Sequence, residues 1–202
     1  LLDIHDEVNQ KIKVVPNLDF DIVGNEMFGY LNGYVSKGES FVEIEKDLQK
    51  AIDEIYATFY RQTLFANYEY EAHKLVENNQ PINYQVLCGI MEKLYKQYYG
   101  LDITKEKVKS FVWAYIPHLF YTPFYVYQYA TSFAASFKLY KDVKEGKEGA
   151  FDRYIGLLSS GGSKYPMEQA KLAGVDFTQK ETFMAVVERM DYLLKELEEL
   201  LK

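Results

Sequence analysis

Leu48, Ile52, Ile55, Phe59, Ala66, Tyr70 and His73 follow one another at three- or four-residue steps, or at their sum. That spacing returns to one face of an α-helix, whereas a strand repeats every second residue. It predicts a helix over residues 41–78, opened by a capping box from Ser40 to Glu43 in "SFVE" and closed at "ENNQP". An apolar helical face must be buried against another element, and the remaining sequence reads as further helices.

Pro81 and Asn83 open a second helix that ends at "YYG", with Gly100 as its terminator. "DITKEKVKSFVWAY" reads as a short third helix closed before Pro117, because proline disfavours the helical conformation in the residue before it. Thr122-Pro123 reads as an N-cap followed by proline at the first helical position, starting a helix over 123–143. "EGKEGAFDRYIGLLSSGGS" holds a shorter helix and a Gly-Gly loop, and Pro166 opens a turn that ends at Gly174. A second capping box from Thr178 to Glu181 starts an amphipathic helix over 179–202, with Phe183, Val186, Val187, Met190, Leu193, Leu194, Leu197 and Leu201 on its apolar side. The expected class is all-α, one mostly helical domain over 41–202 preceded by an atypical segment, 1–40, that mixes short apolar runs with Gly and Asn.

A net charge of −7 with no Lys/Arg cluster argues against a nucleic-acid partner. The apolar stretch 110–139 is broken by Pro117, Pro123, His118 and several tyrosines, so no membrane span is expected. "LLDIHDEVNQ" places charges where a signal peptide needs an apolar run, and the lone Cys88 fits a reducing compartment as a small buried hydrophobe. A cytoplasmic location is expected.

The three histidines are His5, His73 and His118, and none pairs with another at HExxH spacing. Glu69, His73 and Glu77 share one helix face, which suits a metal row but more often a solvated Glu–His pair. "GGS" at 161–163 can form an anion nest, although a helix terminator or hinge is the commoner role. The densest chemistry lies in "IPHLFYTPFYVYQYATSFAASF" at 116–137. With a helix from Pro123, Tyr125 and Tyr129 share a face, Tyr127 points away, and His118 and Tyr121 lie on the connection leading in. Imidazole and phenol donors so gathered suit a developing oxyanion. Tyrosines filling helix–helix contacts are the alternative, and that reading expects His118 and Tyr129 to be fully buried.

That stretch resembles the C-terminal catalytic-domain segment of oligoendopeptidase F, in the thimet-type family of zinc oligopeptidases. "ATFYRQTLFANYEYEAHKL" at 57–75, "LYKQYYG" at 94–100 and "LLSSGGSKYPMEQAKLAGVDF" at 157–177 agree in the same order, so the resemblance covers residues 42–202. It implies a helical metallopeptidase that hydrolyses short peptides in a deep channel. It also implies a zinc ion held by the histidines of HExxH and by a glutamate on a following helix. By the same resemblance, His118 and Tyr129 are catalytic residues that contact the tetrahedral intermediate, and Tyr121 and Tyr125 are the two candidates for a second, substrate-binding tyrosine. The zinc and glutamate helices would precede residue 42, where this chain has no matching motif, so no zinc is expected on this chain alone and no activity from it alone. Its expected partners are short peptides and the N-terminal part of the peptidase. The alternative is a shortened, non-catalytic relative that binds peptides or a partner protein.

Overall fold

The long helical pattern does form, but with a wider turn inside it. The computed structural model describes residues 41–202, so the Ser40–Glu43 capping box and His5 lie outside what can be described. Helix α1 spans Phe41–Ile55, a five-residue π-helical segment follows at Tyr56–Tyr60, and α2 spans Arg61–Glu77. α3 covers Tyr84–Tyr99, α4 Lys107–Ser110, a 3-10 turn Val112–Tyr115, and α5 His118–Tyr121. α6 spans Tyr127–Lys144, α7 Ala150–Ser159, α8 Pro166–Leu172 and α9 Lys180–Leu200. Every element among the described residues is helical, as the all-α reading requires.

These elements sort into two compact units, one of residues Glu54–Phe133 and one that includes 41–53 and 134–202. In the unit 54–133, α2 and α3 enclose a core of Leu64, Phe65, Tyr68, Met91 and Leu94, closed by Val126. Fully burying a Leu, Phe, Met or Val side chain contributes roughly 1.5–3 kcal/mol. Ile116 and Leu119 pack against the same cluster. α3 begins as the sequence predicts: the Asn83 side chain accepts the Val86 N–H at 3.0 Å. It ends at Gly100, whose φ of 68° suits a residue without a Cβ.

The third helix is shorter than "DITKEKVKSFVWAY" suggests. The Asp102 carboxylate accepts both the Thr104 N–H and its hydroxyl, at 3.0 and 2.7 Å. This local turn competes with helix, and α4 starts only at Lys107.

In the other unit, Leu139, Ala173 and Val175 form a small core with Tyr154, Leu157 and Phe177 packed on it. The Gly-Gly loop ends α7, and its Gly161 carbonyl accepts a hydrogen bond from Gln169 at 2.6 Å, the terminator role rather than an anion nest. The Thr178–Glu181 capping box does not form. Thr178 gives its hydroxyl and its N–H to the Asp176 carboxylate instead, and α9 starts without a side-chain cap. Along α9, Val186 and Leu193 are buried, but Leu194 and, just past the helix, Leu201 are exposed, so the apolar face is narrower than the eight residues proposed for it.

Asp142 is buried and paired with Lys138, and with Lys147 at 2.6 Å. Burial works against its ionisation, but the hydrogen bonds from Lys138 and Lys147 prevail and hold the carboxyl below the usual range. The stability it confers is therefore complete above the ordinary carboxylate value and is lost as pH falls through the lowered one. Acid titration of urea stability should show that loss, and Asp142→Asn should flatten it.

In the unit 54–133, Met91→Ala is expected to lower unfolding stability by about 2–5 kcal/mol. Gly89→Ala adds a Cβ that meets nothing within 4 Å, inside a helix, and should raise stability; the gain expected is about 0.4–1 kcal/mol. Urea unfolding followed by circular dichroism checks the pair.

Candidate functional site

Three rings meet in the segment after the 3-10 turn. The His118 imidazole stacks on the Tyr125 ring with centroids 5.3 Å apart and planes 8° apart. Tyr129 meets both rings edge-on, at 6.1 Å from His118 and 5.4 Å from Tyr125. Aromatic pairs prefer these offset and T-shaped arrangements over direct face-to-face stacking.

Local structure explains how each ring is held. Ile116 is extended ahead of Pro117, with φ −98° and ψ 92°. The chain then turns into α5, where the Pro117 carbonyl accepts the N–H groups of Phe120 and Tyr121 at 3.0 Å. His118 thus sits between two core anchors, Ile116 and Leu119. On the other side, Val126 is buried in the same core next to Tyr125 in the chain. The Tyr125 carbonyl accepts the Gln128 N–H at 3.0 Å and launches α6.

The helix therefore starts at Tyr127, not at Pro123. Thr122 takes φ −142° and ψ 70° before the proline, and Phe124 takes φ +59°. A left-handed residue cannot belong to a right-handed helix, so the Thr-Pro pair marks a turn here rather than a helix start. Tyr125 and Tyr129 nevertheless come together, across the helix start rather than along a shared helix face.

Two residues of α2 meet this turn. The Glu69 carboxyl accepts the Phe124 N–H at 2.5 Å. The His73 and Phe124 rings lie 4.6 Å apart. Glu69 is only 3% exposed, which overturns its reading as part of a solvated face. Glu77 is exposed, and no group of three His, Cys, Asp or Glu side chains among the described residues is placed to hold a metal ion. With Glu69 turned to a backbone N–H, the Glu69, His73 and Glu77 row does not fit a zinc site.

Tyr129 is 37% exposed and His118 is half-buried, so neither is the fully buried core residue that a purely structural reading expects. A hydrogen bond to Tyr125 is the main reason the Tyr129 phenol ionises above its ordinary value, with desolvation second. Of the two candidates for the second tyrosine, the structure brings Tyr125 into the ring group. Tyr121 ends α5 and is 85% exposed. Sequence reasoning passed over Phe124 and the contact that Glu69 makes with it, because that contact spans 55 residues of chain.

The hydrogen bond to Tyr125 favours the neutral form of Tyr129. Tyr125→Phe removes it, so the Tyr129 phenol should then ionise at lower pH than in the unmutated chain. Titration of the Tyr129 ring carbons by nuclear magnetic resonance checks this, and an unmoved midpoint would contradict the pairing.

Comparison with known proteins matches residues 35–189 to the sequence profile of peptidase family M3. The chain is 33% identical over 204 aligned positions to an oligoendopeptidase F homolog from Borreliella burgdorferi, covering 98% of this chain and 34% of that protein. It is 39% identical over 145 positions to oligopeptidase PepF from Bacillus subtilis, covering 71% of this chain and 21% of that protein. A crystal structure of oligoendopeptidase-F from Enterococcus faecium superposes with a TM-score of 0.77 at 31% identity, over 87% of this chain and 33% of that one. The first of these alignments takes in most of residues 1–40, so the similarity reaches beyond the 42–202 read from the sequence. The chain spans about a third of the length of the B. burgdorferi relative and of the E. faecium structure.

Proposed function

The chain belongs to peptidase family M3, and from that premise we propose that it forms the substrate-facing wall of an oligoendopeptidase F-like enzyme hydrolysing short peptides. The observation that carries this reading is the mutual contact of His118, Tyr125 and Tyr129 in one partly exposed group.

Their chemistry suits one task. When a peptide carbonyl becomes tetrahedral, its oxygen gains negative charge, and hydrogen-bond donors already aimed at that position lower the barrier. A hydrogen bond between the Tyr129 and Tyr125 hydroxyls favours the neutral phenol at Tyr129, and a neutral phenol is a hydrogen-bond donor. Either hydroxyl can rotate toward an incoming oxyanion. The imidazole of His118, stacked on Tyr125, supplies a further polar group at the same spot. Tyr121 stands as an outer contact for the peptide rather than a member of this group.

Zinc dependence is general in the family. No group of three His, Cys, Asp or Glu side chains that could hold a metal ion is present among the described residues, and on this proposal the zinc ligands lie elsewhere in the enzyme. The peptide substrate and a cytoplasmic location belong to the same proposal. No helix among the described residues is long and apolar enough to cross a membrane.

The test is native mass spectrometry of the full-length protein with zinc quantification, beside cleavage of a quenched peptide. One bound zinc together with cleavage supports the proposal. Zinc-independent peptide binding without cleavage would replace it with a non-catalytic, peptide-binding relative. In the active enzyme, Tyr129→Phe is expected to lower kcat by about 10²–10³ with little change in KM, since the contact strengthens in the transition state. An unchanged kcat removes Tyr129 from the catalytic set.

A further inference from the structure

We propose that Glu69 is a positioning residue whose carboxyl oxygen latches the Phe124 N–H and so fixes the left-handed turn that delivers Tyr125 to His118 and Tyr129. The proposal rests on reading that ring group as the oxyanion-stabilising wall.

The argument begins with the backbone. Phe124 has φ +59° and carries a large side chain that is 47% exposed. Left-handed backbone is unfavourable for such a residue and persists where its surroundings over-determine it. Burial of the Phe124 side chain is therefore too incomplete to account for the conformation. Two contacts to Phe124 come from α2. Glu69 lies on the buried side of that helix among Leu64, Phe65 and Tyr68, so its backbone cannot shift without opening the core. Its carboxyl accepts the Phe124 N–H at 2.5 Å. One turn further along α2, His73 places its ring 4.6 Å from the Phe124 ring and holds the side chain as Glu69 holds the backbone.

The consequence falls on Tyr125. Val126 is fixed in the core on one side, and Phe124 is fixed by Glu69 on the other. With both neighbours held, the direction in which the Tyr125 side chain leaves the backbone is set, and its ring lies parallel to the His118 imidazole. Were Phe124 to relax to an ordinary helical φ, α6 could extend back toward Pro123 and the direction of Tyr125 would change. Glu69 bonds the Phe124 backbone, and in this proposal it acts on the rings through Phe124.

Two variants of the full-length protein test the latch. Glu69→Met keeps the volume and removes the acceptor, whereas Glu69→Gln keeps an acceptor oxygen. In Glu69→Met the Phe124 amide should lose its protection from hydrogen exchange, and the Tyr129 phenol should titrate closer to ordinary tyrosine. In the same variant kcat should fall about 10–100-fold with KM little changed, the scale expected when a reacting group is displaced by about 1 Å. Glu69→Gln should restore amide protection, the Tyr129 titration and most of kcat.

A Glu69→Met protein with native amide protection and an unmoved Tyr129 titration would overturn the latch, as would a Gln variant as disturbed as the Met variant. Should Glu69→Met not fold, the unmutated protein decides: a Phe124 amide that exchanges like a free loop rejects the proposal, and a strongly protected one supports it. If the full-length protein cleaves no peptide, the functional reading fails, while the amide and phenol measurements still judge the latch.

Discussion

Phe124 is held in a backbone conformation disfavoured for residues with a Cβ, and a carboxyl group 55 residues earlier in the chain accepts its N–H. The cost of such a conformation is roughly 1–2 kcal/mol, of the same order as the net contribution of one hydrogen bond. The geometry of the ring group follows from that exchange. Because the turn at Phe124 is left-handed, α6 begins at Tyr127 rather than at Pro123, and Tyr125 remains outside the helix. Outside it, Tyr125 is free to stack on His118, which a place along the helix would not guarantee. The core residues Ile116, Leu119 and Val126 then set the positions of the two ends of this connection. A single backbone hydrogen bond thus converts core rigidity into ring placement.

Much of the fold could be read from the sequence because its signals are local. Asn83 caps α3 through an N–H three residues away, and Gly100 terminates it through its own backbone freedom. The failures have a common cause, which is competition among local side chains. Thr178 had two ways to use its hydroxyl, and Asp176 took it. Asp102 captured Thr104 in the same way and delayed α4. Thr122-Pro123 satisfies the rules for a helix start, yet the next residue leaves the helical region altogether.

The candidate ring group was legible in its residue types and not in its supports. His118, Tyr125 and Tyr129 stand out as polar aromatic residues within 116–137, but that Tyr125 rather than Tyr121 meets the other two rings depends on the turn between them. Glu69 carried no signal beyond its place on a helix face beside His73. Its buried position and its partner depend on how α2 meets a distant turn, and nothing in the spacing of Glu69, His73 and Glu77 distinguishes that from a solvated row.

The π-helical segment at Tyr56–Tyr60 places Ile55 and Glu69 on the same continuous rod with an added residue between them. Each residue advances an α-helix by about 100°. Dropping one residue from this segment would leave the helix intact yet turn Glu69 about a quarter-turn away from where Ile55 now directs it. For this stretch of sequence, therefore, spacing is as much an inherited property as residue identity: two chains that both keep the glutamate but differ by one residue upstream are not equivalent, and a gap placed there in an alignment is a statement about geometry.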